Sequence, residues 1–172
     1  MKKRGFEVTT AYQDKNINLP KRATKNAAGY DFEAAEDIVI PAVWKQIINH
    51  FTKKSEVSEK IVKPVLVPTG IKAYMEHDEY LQLANRSSNP LKRFLTLSNG
   101  VGVIDSDYYN NPDNEGHIMF QFSNFGLTDV HIKKGERIGQ GIFLPFLKAD
   151  NDKEGAERTG GFGSSEIGRA HV

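Results

Sequence analysis

Apolar and polar positions alternate along most of the chain, in short runs interrupted by glycine, proline and asparagine. Gly5 to Ala11 alternates in strand fashion, and Asp31 to Pro41 ends in Ile38-Val39-Ile40. Val62 to Thr69 and Gly70 to Met75 are strand-like runs broken by Pro and Gly. Tyr80 to Ala84 and His117 to Phe122 alternate again, and Val130-His131-Ile132 and Ile142-Phe143-Leu144 follow. A period of two sends successive side chains to opposite faces of a sheet. Short runs at spacings of about ten residues predict an all-β sandwich or barrel.

Ala42 to Lys60 departs from this rhythm. Val43, Trp44, Ile47, Ile48 and Phe51 fall at helical spacing. Two readings follow: a surface helix whose apolar stripe packs on the barrel, or a docking element for a protein partner, since Trp and Phe are common interface anchors.

The densest pattern lies between Leu95 and Asn111, LTLSNGVGVIDSDYYNN. Two apolar runs flank Ser98-Asn99-Gly100, and Asn-Gly between alternating apolar residues predicts a hairpin with a type I′ turn. The second run ends in a carboxylate, Asp105, and an aromatic pair, Tyr108 and Tyr109. Asn110-Asn111-Pro112-Asp113-Asn114 closes the segment as a turn. Backbone, carboxylate and aromatic ring in one small volume suit a small flat ligand beside a water molecule. The same residues could equally decorate an ordinary hairpin.

Composition narrows the function classes. A chain of 172 residues with 38% apolar residues can bury one core, so one domain is expected. The 23 basic and 22 acidic residues are intermixed and leave a net charge of +1. No long basic block predicts a nucleic-acid partner, although a local basic cluster can serve a phosphate. No run of about 18 apolar residues predicts a transmembrane helix. Met1 to Thr10 is too polar for a signal peptide. Without cysteine there is no disulfide and no thiolate-bound zinc. The expected compartment is the cytoplasm.

Gly102 to Asn111, GVIDSDYYNN, resembles the third signature of the trimeric dUTP diphosphatases (dUTPases), and four further signatures of that family occur in its order. Ala28-Gly29-Tyr30-Asp31 matches the first, Arg86-Ser87-Ser88 the second, and Gly135-Glu136-Arg137-Ile138-Gly139-Gln140 the fourth, with Gly139 for the usual Ala. Arg158-Thr159-Gly160-Gly161-Phe162-Gly163-Ser164-Ser165 resembles the fifth, a Gly-rich arm. The resemblance implies a jelly-roll β-barrel or sandwich subunit of a homotrimer. The barrel would span residues 1–149, with a short helical insertion at about 42–61 where relatives have a loop. Residues 150–165 would form a flexible arm, because Lys148 to Glu157 is charged and poor in apolar residues. Residues 166–172 find no counterpart and read as an expression-vector scar.

Roles carry over residue by residue. Asp105 would be the general base that activates water for attack on the α-phosphate of dUTP, giving dUMP and pyrophosphate. Uracil would be read by the backbone around Val103 and Ile104 and by the amide of Asn99, and Tyr108 would stack under the deoxyribose. Arg86, Ser87 and Ser88 would clamp phosphate oxygens, and Gln140 would bond an α-phosphate oxygen. Arg137 reads as a structural ion-pair residue. Phe162 would close over uracil, with Arg158, Gly163 and Ser164 at the terminal phosphate. Mg2+ would be held by the substrate phosphates and waters, with Asp31 outside the first set of ligands.

Beyond Gly139, the family pattern is broken at further places, among them the spacing from Arg158 to the glycines, where many relatives have one more residue. Asn85 stands for a usual Pro, Gly141 for a usual Leu, and Tyr109-Asn110-Asn111-Pro112 replaces the common continuation after the tyrosine, where Asn can accept the positive φ of a Gly. Three alternatives are weighed: a dCTP deaminase-like enzyme of the same fold, a non-catalytic regulatory β-trimer, and a triphosphatase with loose base choice. Deaminases resemble Leu-Glu-Phe where this chain has Phe120-Gln121-Phe122, and an amide cannot shuttle their proton.

Overall fold

The structure, a computed structural model, describes residues 2–53, 63–153, 155, 158 and 160–162. In chain order the elements are β1 (Gly5–Val8), β2 (Tyr30–Glu33), β3 (Ile38–Ile40), α1 (Val43–Lys53), β4 (Val65–Pro68), β5 (Ile71–Tyr74), β6 (Glu79–Asn85), α2 (Ser88–Arg93), β7 (Leu95–Leu97), β8 (Gly102–Asp105), β9 (Met119–Asn124), β10 (Val130–Ile132) and β11 (Arg137–Pro145). All strand pairs are antiparallel. A sheet ordered β2-β11-β6-β8 and a sheet ordered β4-β9-β7 are accompanied by the pairs β1-β5 and β3-β10. The all-β class with a helical segment is as expected. Among the described residues no helix is long and apolar enough to cross a membrane.

The alternation in sequence is the alternation of burial. In β9 the side chains of Phe120, Phe122 and Asn124 point into the core, while Met119, Gln121 and Ser123 stay half-exposed. Phe32 and Leu81 from the four-stranded sheet meet Phe120, Phe122 and Leu95 from the three-stranded sheet, all of them fully buried. Burial of each such side chain contributes about 1.5–3 kcal/mol. The two glycines of β11 make room for two of these rings. A Cβ at Gly139 would lie 2.1 Å from the Phe120 ring, and one at Gly141 would lie 2.8 Å from Phe32. The departures Gly139 and Gly141 are thus a trade of side-chain volume between β11 and its aromatic neighbours.

The expected hairpin at Asn99-Gly100 is instead a corner between sheets. β7 pairs with β9 and β8 pairs with β6, and not with each other. The Gly100 N–H donates to Leu97 O at 3.0 Å, and only Gly100, at φ +73°, is left-handed, so no type I′ turn forms. Each run has a better partner than its sequence neighbour: Leu97 is buried opposite Phe122, and Gly102 lies opposite Leu83 with no room for a side chain. The chain therefore crosses from one sheet to the other, as sandwich corners do. As a result β8 is the outer strand of its sheet, and one side of its backbone is unpaired.

The stripe of α1 is only partly packed. Val43 and Ile47 are half-buried, whereas Trp44, Ile48 and Phe51 are 50%, 58% and 78% exposed. The packing reading holds for one edge of the stripe, and exposure alone names no partner. The rest of the expected insertion, residues 54–61, lies outside the described residues.

Helix α2 has no signal in the hydrophobic pattern. It is held by tertiary bonds: the buried Asn89 amide donates to Ile138 O and to Asn85 Oδ1, both at 2.8 Å, and Asn85 Nδ2 donates to Leu95 O at 3.0 Å. Asn85, the departure from Pro, is thereby the anchor of the turn that follows it. Pro90 falls in the first turn of the helix, where its missing N–H costs nothing.

Candidate active site

The outer strand β8, the Ser98–Val101 corner and the start of β9 surround a cleft of about 260 Å³. Its lining includes Asn99 of the corner, Gly102 and Val103 of β8, Met119 and Gln121 of β9, and Leu83 of β6. Ile104, Asp105 and Tyr108 line it as well, together with Arg158, Gly161 and Phe162. The corner is fixed over β9 by a bond from Ser98 N to Gln121 O at 3.0 Å, and Ser98 Oγ and Ser123 Oγ are 2.7 Å apart.

Asp105 closes β8 opposite Tyr80. Burial pushes its carboxyl above the ordinary aspartate range; the nearby Arg158 guanidinium works against this and the Asp107 charge works with it. Arg158 Nη2 donates to Asp105 Oδ2, its Nε donates to Asp107 Oδ1 at 2.7 Å, and its guanidinium lies 5.9 Å from the centre of the Tyr108 ring. Tyr108 is 6% exposed. Its hydroxyl donates to His117 O at 2.8 Å and accepts from Asn114 Nδ2 at 2.9 Å. The arm packs on the same ring: a Cβ at Gly161 would lie 2.7 Å from it. The turn after Tyr108 survives the sequence departure, with Asn110 left-handed at φ +56°.

The expected phosphate residues form a second cluster. Asp31 lies opposite Gln140 across β2 and β11, and its carboxylate faces Arg137 Nη1 at 3.2 Å and Arg86 Nε at 3.9 Å. Arg86 Nη1 donates to Arg137 O at 2.9 Å, and Gln140 Nε2 donates to Asn85 O at 3.1 Å. Gly29 abuts the Gln140 carboxamide, since a Cβ there would meet Oε1 at 2.2 Å. Ser87 is exposed and Ser88 half-buried at the start of α2. Arg137 is an ion-pair residue, as read from the sequence.

These two clusters do not meet within one chain. Asp105 is level with Tyr80 near one end of β6, and Arg86 follows the other end. Six residues of strand at about 3.3 Å each separate them by roughly 20 Å. None of Asp31, Arg86, Ser87, Ser88 or Gln140 lines the cleft. Among the described residues no group of three or more His, Asp or Glu side chains could hold a metal ion by itself. Gly163 and Ser164 lie outside the described residues.

A family model described as dUTPase matches residues 51–166. The chain belongs to the dUTPase family. It is 52% identical over 167 residues to the deoxyuridine 5′-triphosphate nucleotidohydrolase of Lactococcus lactis subsp. lactis (strain IL1403), covering 96% of this chain and 99% of that one. It is 31% identical over 166 residues to the mitochondrial deoxyuridine 5′-triphosphate nucleotidohydrolase of Homo sapiens, covering 94% of this chain and 55% of that one. The crystal structure of dUTPase from Streptococcus mutans superposes with a TM-score of 0.70 at 49% identity, covering 85% of this chain and 98% of that chain.

Five lining residues of this dUTPase-family cleft are not among the expected site residues: Leu83, Gly102, Met119, Gln121 and Gly161. The alternation of β9 was the available signal, because it puts Met119 and Gln121 on the face away from the core. Arg158 was expected at a phosphate and instead bonds two carboxylates of its own chain.

Proposed function

We propose that the chain hydrolyses dUTP to dUMP and pyrophosphate, keeping uracil out of DNA and supplying dUMP for thymidylate synthesis, in a site completed by neighbouring copies in a homotrimer. The observation that carries this is the cleft itself: a free strand edge, the Asn99 amide, the Tyr108 ring and the Asp105 carboxylate line one volume. Uracil presents an acceptor, a donor and an acceptor along one edge. The unpaired N–H and C=O groups of β8 beside Val103 and Ile104, with Asn99, can satisfy all three. Cytosine would leave a buried polar group unpaired, at about 1–3 kcal/mol, and rejection of such a mismatch is correspondingly strong. The Tyr108 ring lies against the deoxyribose and leaves no room for a 2′-hydroxyl.

The reaction needs one proton moved. A water oxygen bonds to the α-phosphorus, the bond from that phosphorus to the α,β-bridging oxygen breaks, and the Asp105 carboxylate takes the water's proton before releasing it to solvent. Arg86, Ser87, Ser88 and Gln140 of a neighbouring copy hold the phosphate oxygens by forked and single donors. The roughly 20 Å along β6 supports a site made from two copies. So does the exposed apolar surface around Phe94 and Phe125, which are joined by a bond from Phe125 N to Phe94 O at 3.0 Å. Arg158 leaves Asp105 for the terminal phosphate when substrate binds, where Gly163 and Ser164 join it, and Phe162 covers the base. Mg2+ would be held by the substrate phosphates and waters, with Asp31 near those waters, and would supply neutralisation of the phosphate charge. A cytoplasmic location goes with this role.

Gln121 lines the cleft where a deaminase-like enzyme would need an acid, so deamination is not favoured. Pyrophosphate release measured across dUTP, dCTP, dTTP and UTP with magnesium tests the reading. Turnover of dUTP far above the other three is expected, and equal turnover of dUTP and dCTP would sink it.

A further inference from the structure

The segment after Tyr108 is one of the places where this chain leaves the common family pattern, and it is rich in side-chain bonds. Asn114 uses both ends of its amide. Its Nδ2 donates to the Tyr108 hydroxyl at 2.9 Å, while its Oδ1 accepts from Asn111 Nδ2 at 2.8 Å and from Gly116 N at 3.1 Å. Asn111 is buried; its Nδ2 also donates to Tyr108 O at 2.8 Å, and its Oδ1 accepts from Asp113 N and Asn114 N, both at 3.1 Å. The outer side of the loop is held by the buried Lys72, whose ammonium donates to Asn110 Oδ1 at 2.7 Å and to Glu115 Oε1 at 2.6 Å. Glu115 in turn accepts from Thr10 N and Thr10 Oγ1, both at 3.0 Å.

The tyrosine hydroxyl is therefore fixed from two directions. It has one proton, given to His117 O, so its second neighbour must be a donor, and Asn114 Nδ2 is that donor. With the hydroxyl held at its tip and the carbonyl held at its root, the ring cannot swing aside without breaking bonds in a buried network. We propose that Asn114 is a positioning residue that locks the Tyr108 ring and thereby sets the discrimination between deoxyribose and ribose, with little part in the rate of hydrolysis. This rests on the reading of Tyr108 as the surface against the sugar. A ring free to retreat would admit a 2′-hydroxyl; a ring pinned at both ends does not.

Asn114→Asp tests the idea with almost no change of shape. The variant keeps the acceptor used by Asn111 and Gly116 but replaces the donor facing Tyr108 with a second acceptor, so the single hydroxyl proton can serve only one of its two neighbours and one bond is lost. The selectivity, kcat/KM for dUTP over kcat/KM for UTP, should fall roughly three- to tenfold, the worth of one net hydrogen bond. Turnover of dUTP should stay within about twofold of the parent, which also reports that the variant folds. Tyr108→Phe should lower selectivity in the same way, and adding Asn114→Asp to it should do nothing further, because the bond is already gone. A parental selectivity in Asn114→Asp, or independent losses in the double variant, overturns the proposal. If Tyr108→Ala itself discriminates against UTP as well as the parent does, the sugar reading falls and this inference with it.

Discussion

Asp105 combines partial burial with a nearby like charge, and both raise the pH at which it gains a proton. The sign matters for catalysis, since only the ionised form accepts a proton from water. Activity must therefore fall on the acid side as pH drops through a value above the ordinary aspartate value of about 3.9. Removing the like charge with Asp107→Asn should move that limb of the kcat/KM profile to lower pH, and a limb that stays in place would show that Asp105 does not set it. Asp105→Asn keeps the shape and loses the base. Turnover should drop about a hundred- to ten-thousandfold, while a nonhydrolysable dUTP analogue still binds, measured by calorimetry. Retained turnover would point to another group, and Asp31 is the next carboxylate to test. Asp105, Asn99 and Tyr108 were legible in the sequence through the resemblance of Gly102 to Asn111 and its surroundings to a family signature, because a carboxylate and an aromatic ring at the end of an apolar run could by themselves decorate an ordinary hairpin. Met119 was not, because a methionine on the half-exposed face of an alternating strand looks like any other such residue until the corner above it is built.

At the level of elements, period-two alternation located nearly every strand, since one face of each must be buried. It failed where tertiary pairing overrode a local signal. Asn99-Gly100 has the composition of a tight hairpin, yet the runs on either side gain more by joining β9 and β6 than by pairing with each other. Helix α2 was invisible because its stability comes from Asn85 and Asn89 reaching Leu95 and Ile138 rather than from an apolar stripe. The glycines of β11 were visible only as departures, and the rings of Phe120 and Phe32 explain them. Gly139→Ala should therefore destabilise the protein, although Ala is the family's usual residue there. Overpacking against the buried Phe120 ring costs about 1–3 kcal/mol, read as a lower Tm. A Tm equal to or above the parent's would mean that the ring yields freely and that the volume trade is not needed.

The whole molecule poses the sharpest question, because the two clusters of expected site residues do not meet within one chain. The cleft is lined by Asp105 among others, the second cluster gathers around Asp31, Arg86 and Gln140, and roughly 20 Å of β6 lies between Asp105 and Arg86. If catalysis uses Asp105 from one copy and Arg86 from its neighbour, two inactive variants can repair each other. Asp105→Asn and Arg86→Ala should each be nearly inert alone. Unfolding them together and refolding the equimolar mixture produces mixed trimers, in which roughly a quarter of the sites carry both intact residues under random assembly. The measurement is pyrophosphate release from dUTP by that mixture. A return to roughly a quarter of parental activity is the predicted result; a mixture of folded trimers no more active than its two components would contradict a dUTP-hydrolysing site shared between copies.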